Sequence, residues 1–515
     1  MMTLCGPKSE NKSRNSSFDR TARRQLKRGQ KRIAVLKSQL NLKDQLLQQR
    51  TKELKDATKK LESMQAELAM HSAMEPCTSA SLIEREQPMP GFLFTLRIIS
   101  MAIELAKRVG FRGAASAMQI MFASLDLKMQ APSHDAIEQW TLRFGVGLLK
   151  DTFMPGQRVM WMADHSSQVG KERLLLIIGV ALDDLPPPGE SLTFEKLKVL
   201  AVVPGVSWKK EDVEREYLKL ALQIGAPAYL LCDGAVELRE PAEKLELDGQ
   251  KTIVLGDLKH RAANVLEKEL SRNGRFQAFT NEVSLTRNRI QQTELDQFTP
   301  PTLRSKSRFM NIGTLLTWAT MVLYHLKTPA SCAREGITKE RMEQKLGWLL
   351  DYASDLEQWD QCQEVIGCSL SVINLQGLSA QTSEMVEQSL TGNNPNWRNE
   401  DCSATRIALQ LIDWIKQSSD KLKVNERAWL STEILESLFG KFKQVERQQS
   451  KGGFTRLIAA IPTLCITATK QIVRKAFQAV NSPQTREWLE ESLGKTLNAR
   501  RNAAYRESRP QKCVA

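Results

Sequence analysis

The stretch Leu174-Leu175-Leu176-Ile177-Ile178-Gly179-Val180-Ala181-Leu182 carries no polar side chain. A run this short and this apolar reads as a strand covered on both faces, since a strand with one wet face alternates. Shorter runs flank it. Arg158 to Ala163 ends at Asp164, and Lys198 to Val203 ends at Pro204. Beyond them Lys209 to Ile224 has helical spacing, and Ala228 to Cys232 is a further strand ending at Asp233-Gly234. Another helix follows, then Thr252 to Leu255, ending at Gly256-Asp257. The order β-β-β-α-β-α-β is not that of a doubly wound dinucleotide fold. It predicts a mixed sheet, with an antiparallel hairpin first and helical crossovers later.

Asp164 and Asp233 each directly follow a β-run, and strand ends are where α/β sheets bind ligands. A third carboxylate comes from far downstream. Ser431-Thr-Glu-Ile-Leu-Glu-Ser-Leu-Phe-Gly-Lys-Phe-Lys443 reads as a helix with Ser431 as N-cap and an apolar stripe of Ile434, Leu435, Leu438, Phe439 and Phe442. Glu436 and Lys443 lie about two turns apart on one face, too far to pair directly. Laid across the sheet, this helix would add Glu436 to the two aspartates. Unit charges about 4 Å apart repel by roughly 4 kcal/mol at an effective dielectric of 20, so such a cluster implies bound cations. All-oxygen ligands favour Mg²⁺ or Mn²⁺ over zinc. Two such ions suit phosphodiester chemistry, with Lys443 on a phosphate. The bland alternative, for each residue singly, is an ordinary turn, cap or solvated helix face.

The remaining chain fits a DNA-handling protein. Net charge is +14, and residues 1–60 hold 17 Lys and Arg against 5 Asp and Glu, so most of the excess is an N-terminal arm. Leu26, Ile33, Leu40, Leu47, Leu54, Leu61 and Leu68 repeat every seventh residue, predicting a self-associating coiled coil over 18–75. Three short helices with Arg97, Lys107, Arg108, Arg112 and Arg143 suggest a helix-turn-helix-like DNA-binding domain over 91–150, with Ser133 capping the third. Residues 155–260 would form the first part of the core, 261–428 an all-α insertion, 429–499 the helices completing the core, and 500–515 a basic tail. Within the insertion, Trp318 sits in an apolar run and reads as core. Trp397, in a polar loop beside Arg398, reads as an exposed ring able to stack on a base. No apolar run spans a bilayer, and the N-terminus lacks a signal-peptide pattern. The nine Cys include no CxxC pair, which argues against a disulfide frame or zinc knuckle and for a reducing cytoplasm.

Four motifs carry a resemblance. Asp164-His165-Ser166-Ser167-Gln168-Val169-Gly170 and Cys232-Asp233-Gly234-Ala235 resemble the first and second acidic sites of DDE transposases of bacterial insertion sequences. Asp257-Leu258-Lys259-His260 resembles the Asp-x-x-His element of Mutator-like and related transposases, and Glu436-x6-Lys443 matches the family's Glu-to-Lys/Arg spacing. The resemblance covers about residues 155–470. It implies a ribonuclease-H-like core with a large α-helical insertion, and Asp164, Asp233 and Glu436 as ligands of Mg²⁺ or Mn²⁺. It also implies that Asp257 and His260 shape the site and that Lys443 holds a phosphate. Glu433, one turn before Glu436, remains an alternative third ligand. The implied partners are transposon terminal inverted repeats and target DNA, with a homodimer or larger homo-oligomer formed through the coiled coil, in the bacterial cytoplasm at the nucleoid. Two other readings stay open: a non-catalytic DNA-binding or regulatory derivative, and a two-metal nuclease of the same fold.

Overall fold

The computed structural model describes residues 87–494 and 504–505, apart from 125–128, 155, 168–172, 206, 303–308, 311, 329–336, 400 and 449–455. The coiled coil expected over 18–75 and nearly all of the basic tail lie outside the described residues. Residues 87 onward form one compact unit.

Its centre is a five-stranded sheet in the order β3-β2-β1-β4-β7. β1 (Val159–Ser167), β2 (Arg173–Ala181) and β3 (Lys198–Gly205) are antiparallel neighbours. β4 (Tyr229–Cys232) pairs parallel with β1, and β7 (Ile253–Gly256) parallel with β4. This is the mixed sheet that the strand order predicts, and it is compatible with a ribonuclease-H-like core. From Leu174 to Ala181 every residue of β2 is buried, as its unbroken apolar run requires. One expectation changes: β1 does not stop at Ala163. Asp164 lies inside it, because His165 and Ser166 still pair with Leu175 and Leu174.

Strand alternation sends side chains to two cores. Val159, Trp161 and Ala163 of β1, with Leu230 and Cys232 of β4, meet α3 (Lys210–Ile224) and α4 (Val236–Glu243). Met160, Met162, Tyr229 and Leu231 face the other way, into a core shared with most of the remaining helices. A short hairpin, β5 (Glu246–Leu247) and β6 (Gln250–Lys251), turns through Asp248 and Gly249 at φ 52° and 80°.

The segment before the sheet is helical. α1 (Leu96–Ser124) breaks at Gly110, whose φ of 74° and ψ of 170° separate the two helices expected there. α2 (His134–Leu149) starts at Ser133, which accepts from Ala136 N as predicted. Between Trp140 and Gly147 only Arg143 escapes full burial. A Cβ on Gly145 would stand 1.7 Å from Ala459 O, and one on Gly147 2.5 Å from Ala476 O, so both glycines are needed for close backbone contact. Those oxygens belong to the 3₁₀ run Arg456–Cys465 and to α13 (Lys470–Ala479). Arg143 donates to the carbonyls of Phe477 and Val480, and Lys107 to those of Thr463 and Ile466. The helix that a groove-reading module would expose is here the enclosed one, and two of its expected phosphate-seeking cations bind backbone instead.

Between β7 and residue 432 most of the described residues lie in helices: α5 (Leu258–Leu270), α6 (Gly274–Ile290), α7 (Ile312–Lys327), α8 (Lys339–Leu346), α9 (Ala353–Gln376), α10 (Thr382–Asn393) and α11 (Ser403–Ser419). α12 (Glu433–Arg447) follows, and α14 (Ser482–Leu493) comes after α13. Trp318 is core, and its Nε1 donates to Phe298 O at 2.7 Å. Trp397 overturns the expectation of an exposed ring. It is only 7% exposed, and its Nε1 donates to Thr391 Oγ1 at 3.1 Å while the Arg398 guanidinium covers the ring at 5.0 Å. Local polarity misled here, since the flanking helices α10 and α11 fold over the ring and α9 adds Gln361, Glu364 and Val365 beside it. Trp397→Phe should therefore lose about 1–2 kcal/mol through the abandoned Thr391 hydroxyl and the smaller ring. A urea midpoint that drops while DNA affinity holds is the expected result; the reverse pattern would restore the stacking role. Among the described residues no helix is long and apolar enough to cross a membrane.

Candidate active site

β1 and β4 set the first two carboxylates. Ala163 pairs with Cys232, so Asp164 and Asp233 are the next residues on adjacent parallel strands, which run about 4.8 Å apart. Both continue the phase of Met160, Met162, Tyr229 and Leu231, and so take the same face of the sheet. His165 takes the opposite face and stacks on Trp208 at 5.5 Å between ring centres. Asp233 also accepts from Ala235 N at 2.8 Å, which fixes the turn through Gly234 at φ 87°.

α12 supplies the third. Leu435, Leu438, Phe439, Phe442 and Val445 are its buried stripe and join the core on that same sheet face. The helix starts one residue later than predicted. Its N-cap is Thr432, and Ser431 Oγ instead accepts from Glu433 N at 3.3 Å. The reason is Asp257. This carboxylate, 2% exposed, caps α5 by accepting from His260 N at 2.7 Å. Its other oxygen accepts from Thr432 N at 2.6 Å and Thr432 Oγ1 at 2.8 Å. Leu258 N adds a bond to Leu430 O at 2.8 Å. One buried aspartate thus ties the start of α12 to the end of β7, and so places Glu436 relative to the sheet.

The side chains after Asp257 complete the cluster. His260 Nδ1 lies 2.9 Å from Asp257 Oδ1. Lys259 Nζ lies 2.9 Å from Glu436 Oε2 and 3.4 Å from Glu433 Oε1, and Glu433 also accepts from Asn374 Nδ2 at 3.0 Å. Lys443 is exposed, about two turns beyond Glu436. Lys259 is the residue that sequence reasoning missed. It stands inside the quoted Asp-x-x-His element, but its two partners come from a helix more than 170 residues away.

The electrostatics are those of crowded carboxylates only partly offset by two basic side chains. Burial first, then the neighbouring Asp233 carboxylate, push the Asp164 carboxyl up to about 7, against the bond it accepts from His165 N. Glu436 adds a smaller push in the same direction. Burial would also raise Asp257, but the bonds it accepts from His260 and Thr432 outweigh this and hold it below the ordinary carboxylate range. Burial pulls His260 down, and Asp257, Asp233 and Asp164 together pull it further up. Burial likewise opposes the charge on Lys259, and Glu436 and Glu433 overcome it. His260 and Lys259 therefore face five carboxylates between them: Asp257, Asp233 and Asp164 for the histidine, Glu436 and Glu433 for the lysine.

No protein-family model matches the chain. No curated protein matches it either. Among solved structures, the Drosophila P element transposase strand transfer complex is similar over 80% of this chain and 100% of that chain, at 12% identity and a TM-score of 0.39. A likeness at that level assigns no function.

The donor set itself suits a hard divalent cation, being all carboxylate with no thiolate. Its arrangement is incomplete. Among the described residues no three His, Cys, Asp or Glu side chains converge into a ready metal-binding group. Asp164 and Asp233 are neighbours, and Glu436 is drawn to Lys259. Beside them a cleft of about 390 Å³ opens past the ends of β4 and β7, lined by Asp233, Arg239, Asp257, Arg261, Trp414 and Lys421 among others.

Proposed function

We propose that the chain is a DDE-type transposase that binds the ends of a mobile element, cuts one strand and joins the freed 3′-hydroxyl to target DNA. The observation that supports this most is the Ala163–Cys232 pairing, which sets Asp164 and Asp233 side by side on the face crossed by the Glu436 helix. Asp164, Asp233 and Glu436 would hold Mg²⁺ or Mn²⁺. Such ions, when bound, activate a water or a 3′-hydroxyl and stabilise the departing oxygen. The protein's own part is placement. Asp257 fixes α12 and orients His260, whose ring can donate to a non-bridging phosphate oxygen. Lys443 lies further along the same helix, where it can hold the flanking phosphate. The 18–75 segment would pair two protomers and so bring two DNA ends together. The motif resemblance supports reading the element as a bacterial insertion sequence, with the protein acting at the nucleoid.

The test uses the full chain, a duplex carrying the inverted repeats that flank its gene, and a supercoiled target. Metal-dependent nicking at the repeat followed by joined product is the expected result, and both should vanish with EDTA. Nicks without joined product at any metal concentration would identify a nuclease of the same fold. Repeat binding with no cleavage would identify a regulatory protein.

A further inference from the structure

Lys259 is unusually well held for a surface-reaching lysine. It sits in the first turn of α5, between the buried Asp257 cap and His260, so its backbone cannot drift. Its side chain is 22% exposed and meets two carboxylates one helical turn apart, Glu436 at 2.9 Å and Glu433 at 3.4 Å. The two are not equivalent. Glu433 has a second tie to Asn374 on α9, whereas Glu436, one turn further along α12, has Lys259 at 2.9 Å and contributes to the field at Asp164.

We propose that Lys259 is the positioning residue of the metal site: its ammonium holds Glu436 away from Asp164 and Asp233 until a divalent cation takes that carboxylate, and Glu433 then retains the lysine. The inference rests on the carboxylate site proposed above. It divides the two glutamates by role, Glu436 as ligand and Glu433 as the anchor of the displaced ammonium. An ammonium and a metal ion compete for the same carboxylate, so the lysine raises the metal concentration at which the site closes. It also keeps the carboxylates compensated while no ion is bound.

The test is a Mn²⁺ titration of the full chain without DNA, followed by electron paramagnetic resonance. Lys259→Met should bind Mn²⁺ about tenfold more tightly, the effect of removing one unit charge about 6 Å from a divalent ion in a water-like dielectric. Lys259→Arg, which keeps the charge, should stay near the natural chain, and Lys259→Gln should follow Lys259→Met. Glu433→Gln should bind more weakly, since the lysine then has Glu436 alone. Circular dichroism of each variant checks that it has folded. If Lys259→Met binds no more tightly while Asp164→Asn abolishes binding, the lysine clamp is wrong and the carboxylate site stands. The clamp also fails if Lys259→Gln behaves like Lys259→Arg. Should Asp164→Asn bind as tightly as the natural chain, both the site and the clamp fall.

Discussion

Asp164→Asn is expected to abolish DNA cleavage and to make the metal-free protein more stable. The two effects have one origin. In the folded chain the Asp164 carboxyl titrates at about 7, against 3.8 for an unperturbed aspartate. The folded state therefore binds this proton more tightly than the unfolded state. Stability linked to it is fully present below the unfolded value, declines as pH rises from there, and is lost above the folded value. A shift of this size corresponds to about 4 kcal/mol as an upper bound, at 1.36 kcal/mol per unit. Asn keeps the shape and removes the charge. The variant should melt higher than the natural chain at pH 8 without metal, with the gap closing towards pH 4. Added Mn²⁺ should raise the melting temperature of the natural chain and not that of the variant, by mass action on the folded state. Cleavage should fall by several orders of magnitude in the variant, as in Asp233→Asn and Glu436→Gln. A melting difference that is flat with pH would place Asp164 outside the buried cluster.

Asp257→Ala should have the largest destabilising effect in the site. The carboxylate is buried and accepts from four donors: His260 N, His260 Nδ1, Thr432 N and Thr432 Oγ1. Its loss strands those four donors inside the protein. Removing one partner of such a buried network costs about 3–5 kcal/mol. The signs of the two titrations define a pH window. Asp257 is held low, so its contribution is present above the unfolded aspartate value and is lost as pH falls through the folded one. His260 is held high, so its contribution is present below the unfolded histidine value and is lost as pH rises through the folded one. The stability difference between the natural chain and Asp257→Ala should peak in mildly acidic buffer and shrink on both sides. Calorimetry at four or five pH values measures it. A variant within about 1 kcal/mol of the natural chain throughout would show that α12 is anchored without Asp257.

The sheet was legible because its strands announce themselves by burial. β2 is apolar throughout, and each parallel strand ends at an acidic residue or a glycine. What burial cannot show is pairing, and β1 continues through His165 and Ser166 on backbone bonds alone. The β5–β6 hairpin was readable in principle, since Asp248-Gly249 is a strong two-residue turn signal. The candidate aspartates were found from strand ends and Glu436 from its spacing to Lys443. The partners of Lys259 and the cap on Asp257 were not, because each joins α5 to α12 across an intervening set of helices. Trp397 shows a different limit: polar neighbours such as Thr391 and Arg398 can themselves cover a ring, so a polar loop does not imply an exposed one.

The contact of Gly145 and Gly147 with Ala459 and Ala476 has a consequence for the protein as it is made. A ribosome has released the sheet, both aspartates and the intervening helices long before residues 433–479 emerge. Until then Trp140, Phe144 and Val146 lack the cover that the finished chain gives them, and the third carboxylate does not exist. Every unfinished chain therefore leaves apolar side chains of α2 open to other proteins. A nonsense change anywhere before residue 433 removes that cover for good, and its product is expected to be material for proteolysis.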